Sequence, residues 1–572
     1  MGFFGPAEFA DSVAAASGSG VSLGGSTGIS SGLGRTTGTA STGAGFCIVS
    51  TVIPLTTVPT ATIADNPCFK RTLLILPRFQ VKSLFSPIQV ASHLVPSLSQ
   101  AQTNAMQHLL RIAPVIDELG ALFRDAGHEL YLVGGSVRDA LLGHLGHDLD
   151  FTTSARPDDT HALLKRFTPT TWDVGKDFGT IGALARAEGS EWQIEVTTFR
   201  ADAYEANTRK PIVAFGDSID GDLIRRDFTV NAMAIDIATR KFVDPYGGLQ
   251  DLAAGILRTP TEPEISFSDD PLRMLRAARF SSRLGFHVAT DVVAAMKGMA
   301  ERIQIVSVER IQQELNGLLM TDSPRAGLNL LVETGLADYF LPELPALRLE
   351  RDEHHRHKDV YEHSLTVVDQ AIALEKARGH EPDLINRLAA LLHDIGKPAT
   401  RRFEGPKVTF HHHDIVGAKM AKKRLRALNY PGAVTQSVCK LIELHLRFHG
   451  YAEGAWTDAA VRRYVRDAGD ELEHLHILTR ADCTTRNKAK ATRLRRAYEE
   501  LEWRIDELAA QEELDAMRPH LDGNQIMEIL GLGPGKDVGQ AYKFLLDHRI
   551  EHGPLDEEAA TKLLRDWWAE RH

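Results

Sequence analysis

With 572 residues, 25% charged and 43% apolar, the chain has the composition of a globular protein of about three to four domains. Its formal net charge of -11 argues against indiscriminate coating of DNA but leaves room for RNA binding through a local basic surface. Its four cysteines (Cys47, Cys68, Cys439, Cys483) show neither zinc nor disulfide spacing, which suits a reducing cytoplasm.

Residues 1 to about 105 differ from the rest. Ser17 to Gly45 is dominated by Gly, Ser and Thr, too polar to offset its ordering entropy by burial. Residues 46–98 hold Val, Ile, Leu and Pro without a sustained period. A disordered or badly packed extension is expected, with a misplaced start codon preferred over a transit peptide because Arg is scarce. MGFFGPAEFAD lacks the basic segment of a secretory signal, and no apolar run reaches the roughly 18 residues of a membrane helix. Met106 opens an amphipathic helix, MQHLLRIAPVIDELGALFRDAG, with apolar residues three and four apart.

Glu129 to Phe151, ELYLVGGSVRDALLGHLGHDLDF, reads as strand (Leu130–Val133), glycine turn, short helix (Ser136–Leu142) and strand (Leu149–Thr152). Glycines directly after a strand let the backbone approach a phosphate, and the next helix points its N–H groups there. Asp148 and Asp150, at i and i+2, share one face of a strand with Leu149 turned inward. Two hard carboxylates beside a phosphate cradle suit Mg²⁺-assisted nucleotidyl transfer. An Asp-x-Asp alone is usually a surface loop; the upstream GG-x-V-R-D reverses that reading. Further strands are expected at Thr180–Ala185, Gln193–Thr198 and Ala232–Asp236. Alternation in Ile194-Glu195-Val196-Thr197 leaves Glu195 either a third carboxylate beside the pair or an ordinary exposed strand residue.

In DLIRRDFTVNA (Asp222 to Ala232), Arg225 and Arg226 suit a triphosphate, because Arg binds phosphate bidentately and keeps its charge. Asn231 offers the donor and acceptor that a ribose hydroxyl requires. Asp244 to Gly248 (DPYGG) reads as a strand-to-helix turn. In DDPLRMLRAARF (Asp269 to Phe280), Ser268 or Asp269 is expected to cap a helix with Pro271 in its first turn. Arg273, Arg276, Arg279 and Arg283 form a stripe of the kind that is usually solvated, but Asp270 and Arg273, at i and i+3, are neighbours. Val308-Glu309-Arg310-Ile311 opens a helix read as scaffold.

Downstream the chain becomes helical and rich in histidine. His354, His355 and His357 precede His363, then come His393-Asp394, His413, His445 and Asp482. An adjacent His-Asp at a helix end, with histidines before and after it, is a metal constellation. Two basic blocks, Lys419 to Arg426 and Arg486 to Arg496, are candidate RNA contacts. Gly531-Leu532-Gly533-Pro534-Gly535-Lys536 is read as a helix-breaking turn in preference to a phosphate clip.

Taken in order, GG-x-V-R-D with D-x-D, RRDFTVNA, DPYGG and DDPLRMLRAARF resemble the class II tRNA nucleotidyltransferases, the CCA-adding enzymes, grouped with bacterial poly(A) polymerases. The resemblance covers about residues 107 to 345. It implies that Asp148 and Asp150 hold catalytic Mg²⁺ and that Gly134, Gly135, Ser136 and Arg138 cradle phosphates. Arg225, Arg226, Asp227 and Asn231 would hold the triphosphate and sugar. Asp270 and Arg273 would read the base, with Arg276 in the same nucleotide-binding set. Asp269 stands where the family usually has Glu. Gly175 to Ile181 and the loop Arg200 to Pro211 look more like the CCA-adding than the poly(A) branch. The histidine series resembles the HD superfamily of metal-dependent phosphohydrolases, with His363, His393, Asp394, His413, His445 and Asp482 as ligands of an unidentified divalent metal. That domain is either active on phosphate esters or metal-binding and idle.

The base-reading chemistry follows from hydrogen bonding. Ionised Asp only accepts and Arg only donates. Cytosine and adenine both present an amine beside a ring-nitrogen acceptor, so Asp270 and Arg273 can read both. Uracil and guanine invert the two groups, and such a site can reject them by roughly 10⁴. The expected architecture is α+β: a low-complexity extension (1–105), a small mixed-sheet nucleotidyltransferase head (107–260), an all-α neck (261–345), an HD body (350–485) and a tRNA-binding tail (486–572). The expected substrates are tRNA, CTP and ATP, in the cytoplasm, with no membrane or protein partner. Poly(A) polymerase and a sole HD phosphohydrolase are the alternatives.

Overall fold

The computed structural model describes residues 98–572 apart from 188, 201–214, 349–358, 406, 449–450, 452–455, 485–486, 513–517 and 572. The expectations for residues 1–97, most of the loop Arg200 to Pro211, His354, His355, His357 and Arg486 lie outside the described residues. Helix α1 (Leu98–Asp125) begins before Met106. It buries Ile112, Val115, Ile116, Leu119 and Phe123, the three-and-four spacing that packs one helical face.

Next come β1 (Leu130–Val133), α2 (Gly134–Leu142), β2 (Asp148–Thr153), α3 (Pro157–Phe167), β3 (Thr171–Trp172), β4 (Thr180–Ala187), β5 (Ser190–Thr198), α4 (Ile219–Ile224), β6 (Ala234–Asp236) and β7 (Phe242–Val243). The strands form one sheet in the order β3-β4-β5-β2-β1-β6-β7. Only β2 and β5 run parallel; the other pairs are antiparallel. All four residues of β1 are buried, as expected of an apolar run covered on both faces. The expected strand at Ala232 starts two residues later. A single turn of 3₁₀ helix, Thr229–Asn231, precedes it.

The remainder is mainly helical and opens with α5 (Gly248–Ala254), α6 (Pro263–Asp269), α7 (Leu272–Leu284), α8 (Thr290–Met299), α9 (Val308–Leu319) and α10 (Arg325–Glu333). The all-α expectation is corrected by two small sheets, Ile256–Leu257 beside His287–Val288 and the hairpin Arg402–Glu404 with Lys407–Thr409. After the undescribed 349–358 come α11 (Val360–Arg378), α12 (Leu384–Leu392), α13 (His413–Ala427), α14 (Gly432–Leu444), α15 (Asp458–Ala468), α16 (Leu472–Asp482) and α17 (Lys488–Glu512). One continuous apolar core runs from Ala105 to Leu508. The last helices, α18 (Gly523–Leu530), α19 (Lys536–His552) and α20 (Glu557–Ala569), pack around their own core of Leu521, Ile526, Ala541, Leu545, Ala560 and Leu564. The GLGPGK segment is the turn between α18 and α19. Gly531 takes φ +66 and Leu532 N–H returns to the Met527 carbonyl, a glycine-dependent helix stop. No helix among the described residues is long and apolar enough to cross a membrane.

Candidate functional site

Asp148 and Asp150 are solvent-facing on β2, with Leu149 buried between them. The parallel register sets Asp150 opposite Glu195 and Asp148 opposite Gln193. Paired residues project to the same face of a sheet, so Glu195 stands beside the aspartates. Ser136 ties α2 to this row: its hydroxyl donates to the Asp148 carbonyl (3.3 Å) and accepts from Asp150 N–H (2.9 Å). The Asp150 carboxyl is pushed up to about 6. Burial of the carboxyl is the largest cause, Arg226 and Arg138 oppose it, and Glu195 and Asp148 add like charge. By surface area its edge is still open, so the crowding of acids explains part of the rise. Acidic groups forced together this way fit a divalent cation.

Gly134 starts α2 with φ +65, and a Cβ there would lie 2.8 Å from Arg226 Nη1. Glycine therefore lets the Arg226 guanidinium lie across the turn. Arg226 Nη2 pairs with Asp222 Oδ2 at 2.9 Å, and Arg225 Nε lies 3.6 Å from Asp222 Oδ1. Asp222 is a buried anchor that the sequence reading passed over. Its signal was the spacing, three and four residues ahead of the two arginines.

Arg138 is only 3% exposed. Its guanidinium is committed to both Asp139 oxygens (2.7 and 2.8 Å) and to Asn231 Oδ1. In this arrangement all three contacts are internal to the protein. Asn231 Nδ2 donates to Asp227 Oδ1 (2.8 Å), and Arg276 donates to Asp227 Oδ2 (2.8 Å). Burial works against the Asp227 charge, but Arg276 and Asn231 outweigh it and hold its carboxyl at about 2. Arg276 and Arg279 converge on Glu314 of α9. The arginine stripe on α7 is thus largely an internal ion-pair network, not a solvated face.

The helix-cap expectation is corrected. Ser268 and Asp269 belong to α6; Asp270 lies between α6 and α7, and its Oδ1 accepts from Leu272 N–H (3.1 Å). Its Oδ2 accepts from Arg310 Nη2 (2.7 Å). Arg273 is buried, donating to the Ser266 hydroxyl (2.8 Å), the Ser266 carbonyl (3.2 Å) and the Arg225 carbonyl. Arg225 and Arg273 therefore share a backbone contact.

The second cluster is built from helix ends. His363 lies on α11, His393-Asp394 follow α12 directly, His413 opens α13, His445 caps α14 and Asp482 ends α16. His363, His393 and Asp394 form one metal-competent group, and Asp394, His413 and His445 another. Asp482 Oδ1 is 2.9 Å from His363 Nε2. Nδ1 of His393, His413 and His445 each meets a carbonyl three residues back (2.9, 2.8 and 2.6 Å). That contact assigns the proton to Nδ1 and turns the Nε2 lone pair inward, as metal ligation requires. Burial, with His393 adding to it, lowers His445 to about 4, so the ring is neutral. Asp394 Oδ1 and His413 Nε2 are buried without a hydrogen-bond partner, which a cation would satisfy. Gly396 is required by packing: a Cβ there would sit 2.1 Å from the His413 carbonyl.

A mixed sheet carrying in-register carboxylates beside a glycine turn, followed by a mainly helical domain with a His/Asp cluster, is the arrangement of a nucleotidyltransferase joined to an HD domain. Residues 130–258 match the "Poly A polymerase head domain", 285–347 the "Probable RNA and SrmB- binding site of polymerase A" and 360–487 the "HD domain". The chain is similar to the A-adding tRNA nucleotidyltransferase of Deinococcus radiodurans, 32% identical over 77% of this chain and 95% of that one. It is 43% identical to the CCA-adding enzyme of Geobacillus thermodenitrificans over 38% of this chain, a match spanning about half (52%) of that protein. Its fold superposes on the crystal structure of the Bacillus stearothermophilus CCA-adding enzyme in complex with CTP with a TM-score of 0.56, 26% identity, and 80% and 98% of the two chains covered. The chain belongs to the tRNA nucleotidyltransferase family, that of the CCA-adding enzymes.

Proposed function

We propose that this chain adds C, C and A in turn to the 3′ end of tRNA, using CTP and ATP and releasing pyrophosphate. The observation that carries this reading is the carboxylate row Asp148, Asp150 and Glu195, in register beside the Gly134-Gly135 turn. These carboxylates would hold Mg²⁺, which supplies activation of the 3′-hydroxyl and charge neutralisation at the leaving pyrophosphate. Arg225 and Arg226, steadied by Asp222, bind the triphosphate. Asn231, held by Arg138 and Asp227, meets the ribose. Three of the Arg273 contacts fix its guanidinium plane, leaving its outer edge for a ring nitrogen while Asp270 accepts from the exocyclic amine.

The test is product sequencing with purified protein, all four nucleotides and tRNAs ending before the CCA or in -CC. Addition of -CCA to the first and -A to the second is expected. Extension of the -CC substrate alone would favour an A-adding enzyme, the reading supported by the relative matched over 95% of its length. A homopolymer would favour a poly(A) polymerase. We infer separately that the HD centre binds divalent metal through His363, His393, Asp394, His413, His445 and Asp482, supported by the orphaned Asp394 Oδ1 and His413 Nε2. Hydrolysis of a 2′,3′-cyclic phosphate, lost in His393→Ala with nucleotide addition kept, would establish it as a second active site.

A further inference from the structure

Helix α9, expected to be scaffold, sends Arg310 from its first turn to Asp270, 40 residues earlier in the chain. We propose that Arg310 is a positioning residue for base selection: it holds the Asp270 carboxylate in the orientation that accepts from an exocyclic amine. The proposal rests on the reading of Asp270 as the base-selecting acceptor.

An Asp carboxylate turns easily, because its terminal torsion is broad. Mobility undermines a template of this kind. A fixed acceptor rejects a carbonyl because the repulsion has no escape; a loose one turns aside, losing the amine contact and the repulsion together. Two donors are needed to stop it. Leu272 N–H holds Oδ1 from within the same turn (3.1 Å), and Arg310 Nη2 holds Oδ2 from a separate helix (2.7 Å). An ionised carboxylate has about four acceptor sites, so each oxygen keeps capacity for a base.

The delivering helix is itself anchored. Ser307 caps α9, accepting from Arg310 N–H (3.5 Å), and Glu314 is clamped by Arg276 and Arg279. The Arg310 side chain is 51% exposed and that of Asp270 24%. An ion pair so open to water contributes little to fold stability, so its loss should register in base choice and not in unfolding.

The experiment is steady-state incorporation of CTP, UTP, ATP and GTP by Arg310→Met, which keeps the apolar stem, with Arg310→Lys and Asp270→Asn alongside. For Arg310→Met the CTP:UTP ratio of kcat/KM (ATP:GTP if A alone is added) should fall about tenfold, the equivalent of one hydrogen bond to a charged group. UTP incorporation should rise in absolute terms, and Arg310→Lys should restore most of the ratio. Equal slowing with all four nucleotides would overturn the proposal and leave Arg310 as scaffold. An unchanged ratio with lower KM throughout would also overturn it, making Arg310 a simple obstruction. If Asp270→Asn too leaves the ratio unchanged, the base-selecting role of Asp270 fails, an outcome distinct from failure of Arg310 alone.

Discussion

Asp150 occupies a position where its own charge works against the fold. Its folded value of about 6 lies above the 3.8 of an unperturbed Asp, so the native state holds the proton more tightly than the unfolded chain. The stability this provides is complete below pH 3.8 and is lost as pH rises through about 6. In chelator, Asp150→Asn should therefore raise Tm at pH 7–8 and leave it nearly unchanged at pH 3.5, read by thermal unfolding at both values. The same substitution should abolish nucleotide addition, as should Asp148→Ala, because each removes a carboxylate proposed to hold Mg²⁺. The aspartate pair was legible in the sequence because strand period puts i and i+2 on one face whatever the partner strand. Glu195 was not settled, because which strand lies beside β2 is a property of topology. The contacts of Arg138 were not legible for a related reason: that its guanidinium meets Asn231, 93 residues away, is a property of the fold.

Two helices that carry candidate metal ligands of the HD domain meet at their far ends around one histidine. Asp383 caps α12, accepting from Asn386 N–H (2.8 Å), and α12 runs into His393-Asp394. His474 sits in the first turn of α16, which ends at Asp482. Its ring lies 3.6 Å from Asp383 Oδ1 and 2.6 Å from Glu471 Oε2. The Asp383 carboxylate, opposed by burial and reinforced by the hydrogen bond to Glu471, raises His474 to about 9. This folded value exceeds the 6.5 of an ordinary histidine, so the stabilisation is full below pH 6.5 and is lost as pH climbs through 9. His474→Gln should cost about 2–3 kcal/mol at pH 6 and much less at pH 9.5, measured by urea unfolding. Gly396→Ala should be worse at every pH, since its Cβ would overlap the His413 carbonyl. We expect a lower Tm and loss of bound metal by elemental analysis. Element positions were largely legible: β1 was placed residue for residue, and β5 and α2 within a few. The cap was not, because Ser268 and Asp269 are plausible caps by type, yet both lie inside α6 and the N-cap position of α7 falls to Pro271, which offers no side-chain acceptor.

At the scale of the whole molecule, α9 links α7, and through it the head, to the HD body, from its middle and from its C-terminal end. Glu314 on α9 meets Arg276 and Arg279, which lead through Asp227 to Asn231. At the C-terminal end, Arg387 of α12 donates to the Leu319 and Thr321 carbonyls (2.7 and 2.9 Å) and pairs with Glu375 of α11 (3.0 Å). Arg387 is fully buried, and nothing in its sequence surroundings, LINRLAALL, distinguished it from a surface arginine. A buried pair broken on one side strands a charge, whereas replacing both partners removes the desolvation cost along with the attraction. Arg387→Met should therefore destabilise by about 3–5 kcal/mol. Adding Glu375→Met should recover much of that loss, though not all, because the two carbonyls at the end of α9 stay unpaired. Denaturant unfolding of the two single variants and the double variant closes the cycle. Near-additive losses would mean that Arg387 acts through the α9 carbonyls and that the ion pair itself contributes little to joining body and neck.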